Sequence, residues 1–379
     1  MINLKGIAWN HTRGFTSVVA TAQRFEELNP DVRITWEKRS LQAFADAPLD
    51  ELTNEYDLLI MDNPHVSIAA RDGVLLPFDD YLKPDFIKEL AENSVGKSYN
   101  SYHVNGKLWT LATDAATPVA TWREDLIAKH HIDIPKTWEE LLELTKTGKV
   151  AFASIPIDTL MHHYMMCIAL GANVFESEIE VAPRQIMIDA IKTYKQLIDI
   201  APLFCLEMNP IKIYEHMTQT NEIAYSPFNY GYSNYSKKNY ADHTLKAGGL
   251  VTFNGKRLRS TLGGAGIAVS SKTKHAEIAM KYAEFTALEK TQSGLYFEFG
   301  GQPGHRKSWL NEDVNSQSKN FFKDTLQTLD EATMRPQYYG YMHFQDEASP
   351  VIHEAVSGKA SIEAAVDKMN AIYRESLTH

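Results

Sequence analysis

The run Tyr56-Asp57-Leu58-Leu59-Ile60-Met61-Asp62 sets a strand into an α/β layout. Its apolar stretch ends in Asp62-Asn63-Pro64-His65. A helix-like segment follows, then Gly73-Val74-Leu75-Leu76-Pro77-Phe78-Asp79-Asp80-Tyr81-Leu82. The same order recurs on either side. Leu4 to Trp9 reads as a strand. Phe15 to Leu28 reads as a helix with apolar positions at Val18, Val19, Ala22 and Phe25. Asn29-Pro30-Asp31 ends it, because proline disfavours helical geometry at the residue before it. Val32, Ile34 and Trp36 alternate along a strand from Val32 to Glu37. Leu41 to Leu52 reads as a helix and Leu58 to Met61 as the next strand. Strands alternating with helices predict a mostly parallel sheet covered by helices.

A second unit is expected from near Asp114. Pro118 to Trp122 reads as a strand. Pro135-Lys136-Thr137-Trp138-Glu139-Glu140-Leu141-Leu142 opens a helix, with Thr137 as N-cap and Glu140 three residues on, the spacing of a capping box. Val150 to Ile155 reads as a strand, with helices around Leu160 to Ala169 and Pro183 to Ile200. Glu222 to Ser226 reads as a strand ahead of an aromatic loop. Ile267 to Ser270 is another strand, followed by an amphipathic helix from Lys274 to Glu289.

At 379 residues the chain has room for two domains of roughly 150 residues each. Hydrophobic residues at 44% supply a core that needs no disulfide or metal staple. A net charge of −10 argues against a general affinity for nucleic acid and gives no reason for one toward anionic lipid. No apolar run approaches the ~20 residues of a membrane span. Met1-Ile2-Asn3-Leu4-Lys5-Gly6 leads straight into a strand, without the basic and apolar regions of a leader. Either a leader was removed, or the native chain has none and stays inside the cell. Cys167 and Cys205 leave pairing and isolated thiols equally open.

Several segments, in order, carry a resemblance. Besides the Tyr56–Leu82 stretch, they are Phe25-Glu26-Glu27-Leu28-Asn29-Pro30-Asp31-Val32, Gly106-Lys107-Leu108-Trp109-Thr110-Leu111-Ala112-Thr113-Asp114 and Thr121-Trp122-Arg123-Glu124-Asp125-Leu126. Pro135 to Leu141, Gly263-Gly264-Ala265-Gly266-Ile267-Ala268-Val269-Ser270 and Gly358-Lys359-Ala360-Ser361-Ile362-Glu363-Ala364-Ala365 complete the set. Together they resemble family 1 extracellular solute-binding proteins, the ligand-capturing subunits of ABC importers. Thr110 to Thr113 lacks the family's usual proline.

The resemblance implies a type II periplasmic-binding-protein-like fold: two α/β lobes of mixed, mostly parallel sheets with flanking helices and a hinge between them. Lobe one would hold residues 1–112 plus about 256–305, and lobe two 113–255 plus about 306–379. It implies a monomer that captures a small polar solute, a sugar or related polyhydroxylated compound, in the cleft and delivers it to ABC transporter membrane subunits. No cofactor, metal or nucleic acid is implied. The family's place is the periplasm or the cell surface; without a leader, the cytoplasm stays open.

Ligands of open α/β sheets sit beyond the carboxyl ends of the strands, which selects the candidate contacts. After the first strand come Trp9, His11 and Arg13, where Arg13 offers a fork for carboxylate or phosphate. Asp62 and Asn63 follow the strand at Leu58; Asp62 suits a ligand hydroxyl or a helix cap. Asp114 lies at the crossover. Phe228, Asn229, Tyr230 and Tyr232 fall in the aromatic loop, whose rings and amides suit a polar ligand with flat apolar faces. Gly264 allows close backbone approach, and Gln302 lies in the Gly-rich turn Gly300 to Arg306.

Enzyme signatures are lacking. Gly96-Lys97-Ser98 ends like a phosphate-binding loop, but Ala91 stands where the upstream glycine belongs. His130-His131 and His162-His163 are adjacent pairs that point apart on a helix, which disfavours a shared metal. Three readings compete with sugar capture: an organic-acid receptor using His11 and Arg13, a leaderless intracellular sensor on the same fold, and an α/β enzyme, for which no acid, base or nucleophile set stands out.

Overall fold

The computed structural model describes residues 1–40 and 49–379, so most of the helix read from Leu41 to Leu52 lies outside the described residues. Its end appears as the helix Leu49–Glu55. The described chain divides into two compact units. One comprises Met1–Ala116, Tyr232–Asn234 and Leu262–Leu326; the other comprises Thr117–Gly231, Tyr235–Thr261 and Gln327–His379. Residues 306–326 therefore pack with the first unit.

The first unit is built on a four-stranded mixed sheet in the order Ala265–Val269, Leu58–Asp62, Ile2–Trp9, Val32–Arg39. Ile2–Trp9 pairs in parallel with both neighbours, and Ala265–Val269 joins antiparallel at the edge. Both faces are buried, as the alternation of strand and helix requires. Leu4, Ala8, Ile34, Trp36, Leu58, Ile60 and Ile267 share one cluster with Val18, Ala22 and Phe25 of the helix Thr16–Leu28. Ile7, Leu59, Met61 and Ala268 form the other with Tyr56 and Ala69. Val18, Ala22 and Phe25 lie four and three residues apart and make the buried stripe. Val19 falls outside it and is exposed, correcting its assignment to the apolar face.

The second unit carries a three-stranded sheet in the order Tyr225–Tyr230, Pro118–Trp122, Lys246–Gly248, paired antiparallel throughout. Strand–helix alternation gives the order of elements, not the direction in which distant strands meet, so mostly parallel pairing does not extend to these three. The segment Val150 to Ile155 is not a strand. Val150 makes one parallel bridge to Tyr225, and the Ala153 amide donates to the Asn229 side chain at 2.7 Å instead of to a neighbouring strand. The strand read as Glu222 to Ser226 runs instead from Tyr225 to Tyr230. Phe228, Asn229 and Tyr230 thus belong to a strand rather than a following loop.

The helices Trp138–Thr145, Pro156–Ala169 and Arg184–Ile198 set Trp138, His162 and Tyr194 against Phe228 of this sheet, and Tyr341–Val356 and Ile362–Ser376 pack on the second and third of these helices. The capping box at Thr137 is formed: its hydroxyl accepts from the Glu140 amide, and the Glu140 carboxylate accepts from the Thr137 amide. Cys167 and Cys205 are buried free thiols. Among the described residues no helix is long and apolar enough to cross a membrane.

Candidate functional site

In the first unit, the strands Ile2–Trp9 and Leu58–Asp62 deliver polar groups at their carboxyl ends. Trp9 is buried, and its ring lies on Gly14; a Cβ there would stand 2.3 Å from it. That packing turns the chain sharply and places His11 and Arg13 beyond the strand. The Arg13 amide donates to Nδ1 of His11 at 3.0 Å, so Nδ1 is the unprotonated nitrogen. Burial, with the neighbouring Arg13 charge, pushes His11 down to about 3 and keeps it neutral.

Arg13 is 4% exposed, yet its charge is matched. Nε donates to Oδ2 of Asp114 at 2.7 Å and Nη2 donates to Oδ1 at 2.5 Å. The Ala265 amide also donates to Oδ1, at 3.2 Å. Burial opposes the guanidinium charge, but the Asp114 carboxylate outweighs it and holds Arg13 protonated. Tyr232 lies over the guanidinium with its ring centroid 4.6 Å away and meets His11 edge-on at 4.7 Å. His11, Arg13, Asp114 and Tyr232 are therefore brought together. The sequence spreads them over more than two hundred residues.

Asp62 ends its strand in extended geometry and accepts from the Asn63 amide at 2.8 Å, capping the short turn Asn63–His65. Asp62 is half-buried, while Asn63 is buried. Asp62 pairs with Ala265 in the sheet, so Gly264 sits beside it. Gly264 has φ +109°, and a Cβ there would stand 2.6 Å from the Asp114 carbonyl oxygen. Gln302 is 1% exposed and clamps the chain: its amide nitrogen donates to the Ala115 carbonyl, and its oxygen accepts from the Ser233 amide, both at 2.8 Å.

In the second unit, Phe228 stacks parallel to Trp138 at 6.4 Å and meets Phe152 and His162 at 5.3 and 4.6 Å, inside the aromatic core. Asn229 is equally buried; it accepts from Ala153 and donates to Ser226 at 2.9 Å. Tyr230 is half-buried, with its hydroxyl 2.8 Å from that of Thr261. Its neighbours in the strand thus organise the core, while Tyr230 keeps part of its surface accessible.

Asp158 was missed from sequence. It lies in the first turn of the helix Pro156–Ala169, just beyond the extended segment from Val150. It is 5% exposed, and its Oδ2 has no hydrogen-bond partner among the described residues. Burial pushes its carboxyl up to about 7. The signal was present in Ile155-Pro156-Ile157-Asp158, a proline at the helix start and an acid in the first turn. A buried polar atom without a partner is costly and calls for an explanation. In the first unit these groups offer acceptors and a ring face, with the buried fork of Arg13 already filled by Asp114; in the second they offer Tyr230 and the unpartnered oxygen of Asp158.

The comparisons agree with this architecture. The model of the family described as bacterial extracellular solute-binding protein matches residues 8–293. An arabinooligosaccharide-binding protein of Halalkalibacterium halodurans is 23% identical over 255 residues, which cover 62% of this chain and 55% of that protein, so the match spans about half of the relative's length. Among solved structures, maltose-bound MalE3 of T. maritima superposes with a TM-score of 0.84 at 16% identity, over 99% of this chain and all of that one. A tagatose-bound ABC transporter solute-binding protein of Thermotoga lettingae also gives 0.84 at 16% identity, covering both chains fully. A ribitol-bound solute-binding protein of Agrobacterium radiobacter K84 gives 0.82 at 16% identity, over 99% of this chain and 98% of that one. The two-lobed fold of these binding proteins is shared, and the chain belongs to the bacterial extracellular solute-binding protein family.

Proposed function

We propose that the protein captures a neutral polar solute, a sugar or related polyhydroxylated compound, and hands it unchanged to the membrane subunits of an ABC importer. Family membership supports the importer, the periplasmic or cell-surface location, and capture by hinge closure of two lobes acting as a monomer. Maltose, tagatose and ribitol, the ligands of the structural relatives, are the first compounds to try. Contacts are proposed from Asp62 and Tyr232 in the first unit and, separately, from Tyr230 and Asp158 in the second.

The observation that carries the choice of a neutral ligand is the filled fork of Arg13. An anionic solute would have to displace Asp114 from two charge-assisted hydrogen bonds. It would also meet the carboxylate of Asp62, which lies in the same unit. A hydroxyl-bearing ligand meets the same carboxylate as an acceptor.

A thermal-shift screen of ligand-stripped protein against sugars, polyols and small carboxylates tests this. A ligand at 100 times its Kd adds about 2.7 kcal/mol. Hits among sugars or polyols, with a smaller radius of gyration in solution scattering on binding, are the expected result. Hits confined to carboxylates, abolished by Arg13→Ala, would overturn the neutral-solute reading. Turnover of a bound compound would overturn capture itself.

A further inference from the structure

We infer that the second unit carries a surface site for a divalent transition-metal ion, formed by His343, Glu375 and His379 and separate from solute capture. One ligand atom from each residue lies within 4.8 Å of the other two. Nε2 of His343 is 3.9 Å from Oε1 of Glu375, and the rings of His343 and His379 are 4.3 Å apart between centroids. Donors around a tetrahedral zinc ion at about 2.0–2.2 Å stand roughly 3.3–3.5 Å apart. Small rotations of three accessible side chains close the difference. Two imidazoles and a carboxylate suit Zn2+, Ni2+ or Cu2+ rather than Ca2+ or Mg2+, which favour oxygen donors.

The backbone under His343 and Glu375 is held in place. His343 lies in the first turn of the helix Tyr341–Val356, and Glu375 at the end of the helix Ile362–Ser376. Gly340, ahead of the first, sits so close to the second that a Cβ would stand 1.8 Å from the Ser376 carbonyl oxygen. The Tyr338 and Ser376 hydroxyls are 2.8 Å apart. The two helix ends therefore cannot slide without breaking this contact. Glu375 lies in the last turn of the helix Ile362–Ser376, and His379 follows three residues after that helix ends. They also lie at the negative end of a fifteen-residue helix, where a cation is favoured.

Titrating the untagged full chain with ZnCl2 and NiCl2 in a calorimeter, after chelator treatment, tests the site. The expected result is one ion per chain. His343→Ala and Glu375→Gln should each weaken binding by about tenfold or more, since losing even a supporting residue around a metal costs about 10–100-fold. Circular dichroism checks that both variants remain folded. A Co2+-loaded native chain should show d–d absorption that both variants lose. No ion bound, or affinity unchanged in either variant, would overturn the site and leave His343 and Glu375 as an ordinary surface pair.

Discussion

Arg13 and Asp114, 101 residues apart in sequence, close on each other through two parallel hydrogen bonds inside the first unit, at 2.7 and 2.5 Å. The pair fixes the segment after the first strand to the segment that leads out of the unit, and it sets the platform under Tyr232.

Removing one partner should be far worse than removing both. Asp114→Asn leaves a buried guanidinium without its counter-charge, and breaking a buried pair in this way costs about 3–5 kcal/mol. Arg13→Met combined with Asp114→Leu restores an apolar interior and should recover most of that loss. Urea unfolding of the single and double variants measures both. A double variant no better than the single one would mean that the pair is not the source of the loss.

Gly264 serves the same platform from the other side. Its φ of +109° and its approach to the Asp114 carbonyl exclude any side chain. Gly148 is the matched control, with φ +72° and nothing within 4 Å of the missing Cβ. Gly148→Ala should cost only the backbone strain of about 1 kcal/mol, whereas Gly264→Ala should cost clearly more, toward 3 kcal/mol or beyond. Equal losses in urea unfolding would remove the packing role of Gly264.

How much of this was legible beforehand depended on range. The capping box of Thr137 and Glu140 could be read because both partners sit within four residues. The first-unit strands were legible because their apolar runs are bounded by turn residues. The strand Tyr225–Tyr230 was displaced because Pro, Asn and Gly around Phe228 look like a loop. Asn229 in fact turns inward and satisfies the Ala153 amide, so that amide does not join a strand ladder and Val150 to Ile155 is not a strand. No local pattern reports a contact such as Arg13 to Asp114. Asp158 escaped because an acid in a first helical turn normally faces water; its burial depends on the surrounding helices.

Three neutral histidines should make the protein acid-sensitive. Burial holds His11, His162 and His163 down to about 3, against about 6.5 in an unfolded chain. The unfolded state therefore binds more protons in this window, and stability falls as pH drops below about 6.5. Each histidine contributes about 1.4 kcal/mol per pH unit until its folded value is reached. Among the described residues the polar partner of the His163 ring is the Cys167 sulfur, 3.6 Å from Nε2, so leucine can replace it. His163→Leu should flatten the unfolding free energy between pH 6 and 4 by about 1.4 kcal/mol per unit. An unchanged slope would mean that His163 is not the neutral group that burial makes it.

Asp158 works in the opposite direction. Its folded value of about 7 lies above the roughly 3.9 of an unfolded aspartate, so the folded state holds the extra proton. The stability this proton contributes is complete below about pH 4 and is lost as pH rises from there through about 7. At pH 8 the folded protein carries a buried carboxylate with an unpartnered oxygen, a penalty of about 4 kcal/mol by linkage. Asp158→Asn should therefore stabilise the unliganded protein at pH 8 by up to that amount, and by little at pH 4. A cavity-forming change would destabilise at both. If Asp158 accepts a ligand hydroxyl as proposed, the same variant loses a charged acceptor and should bind the solute about tenfold or more weakly. Greater stability with weaker binding is the trade expected where a fold retains an unfavourable group for its ligand. Loss of stability at pH 8, measured by urea unfolding, would show that Asp158 is a structural residue. Unchanged affinity, measured by calorimetry with the solute from the screen, would remove it from the site.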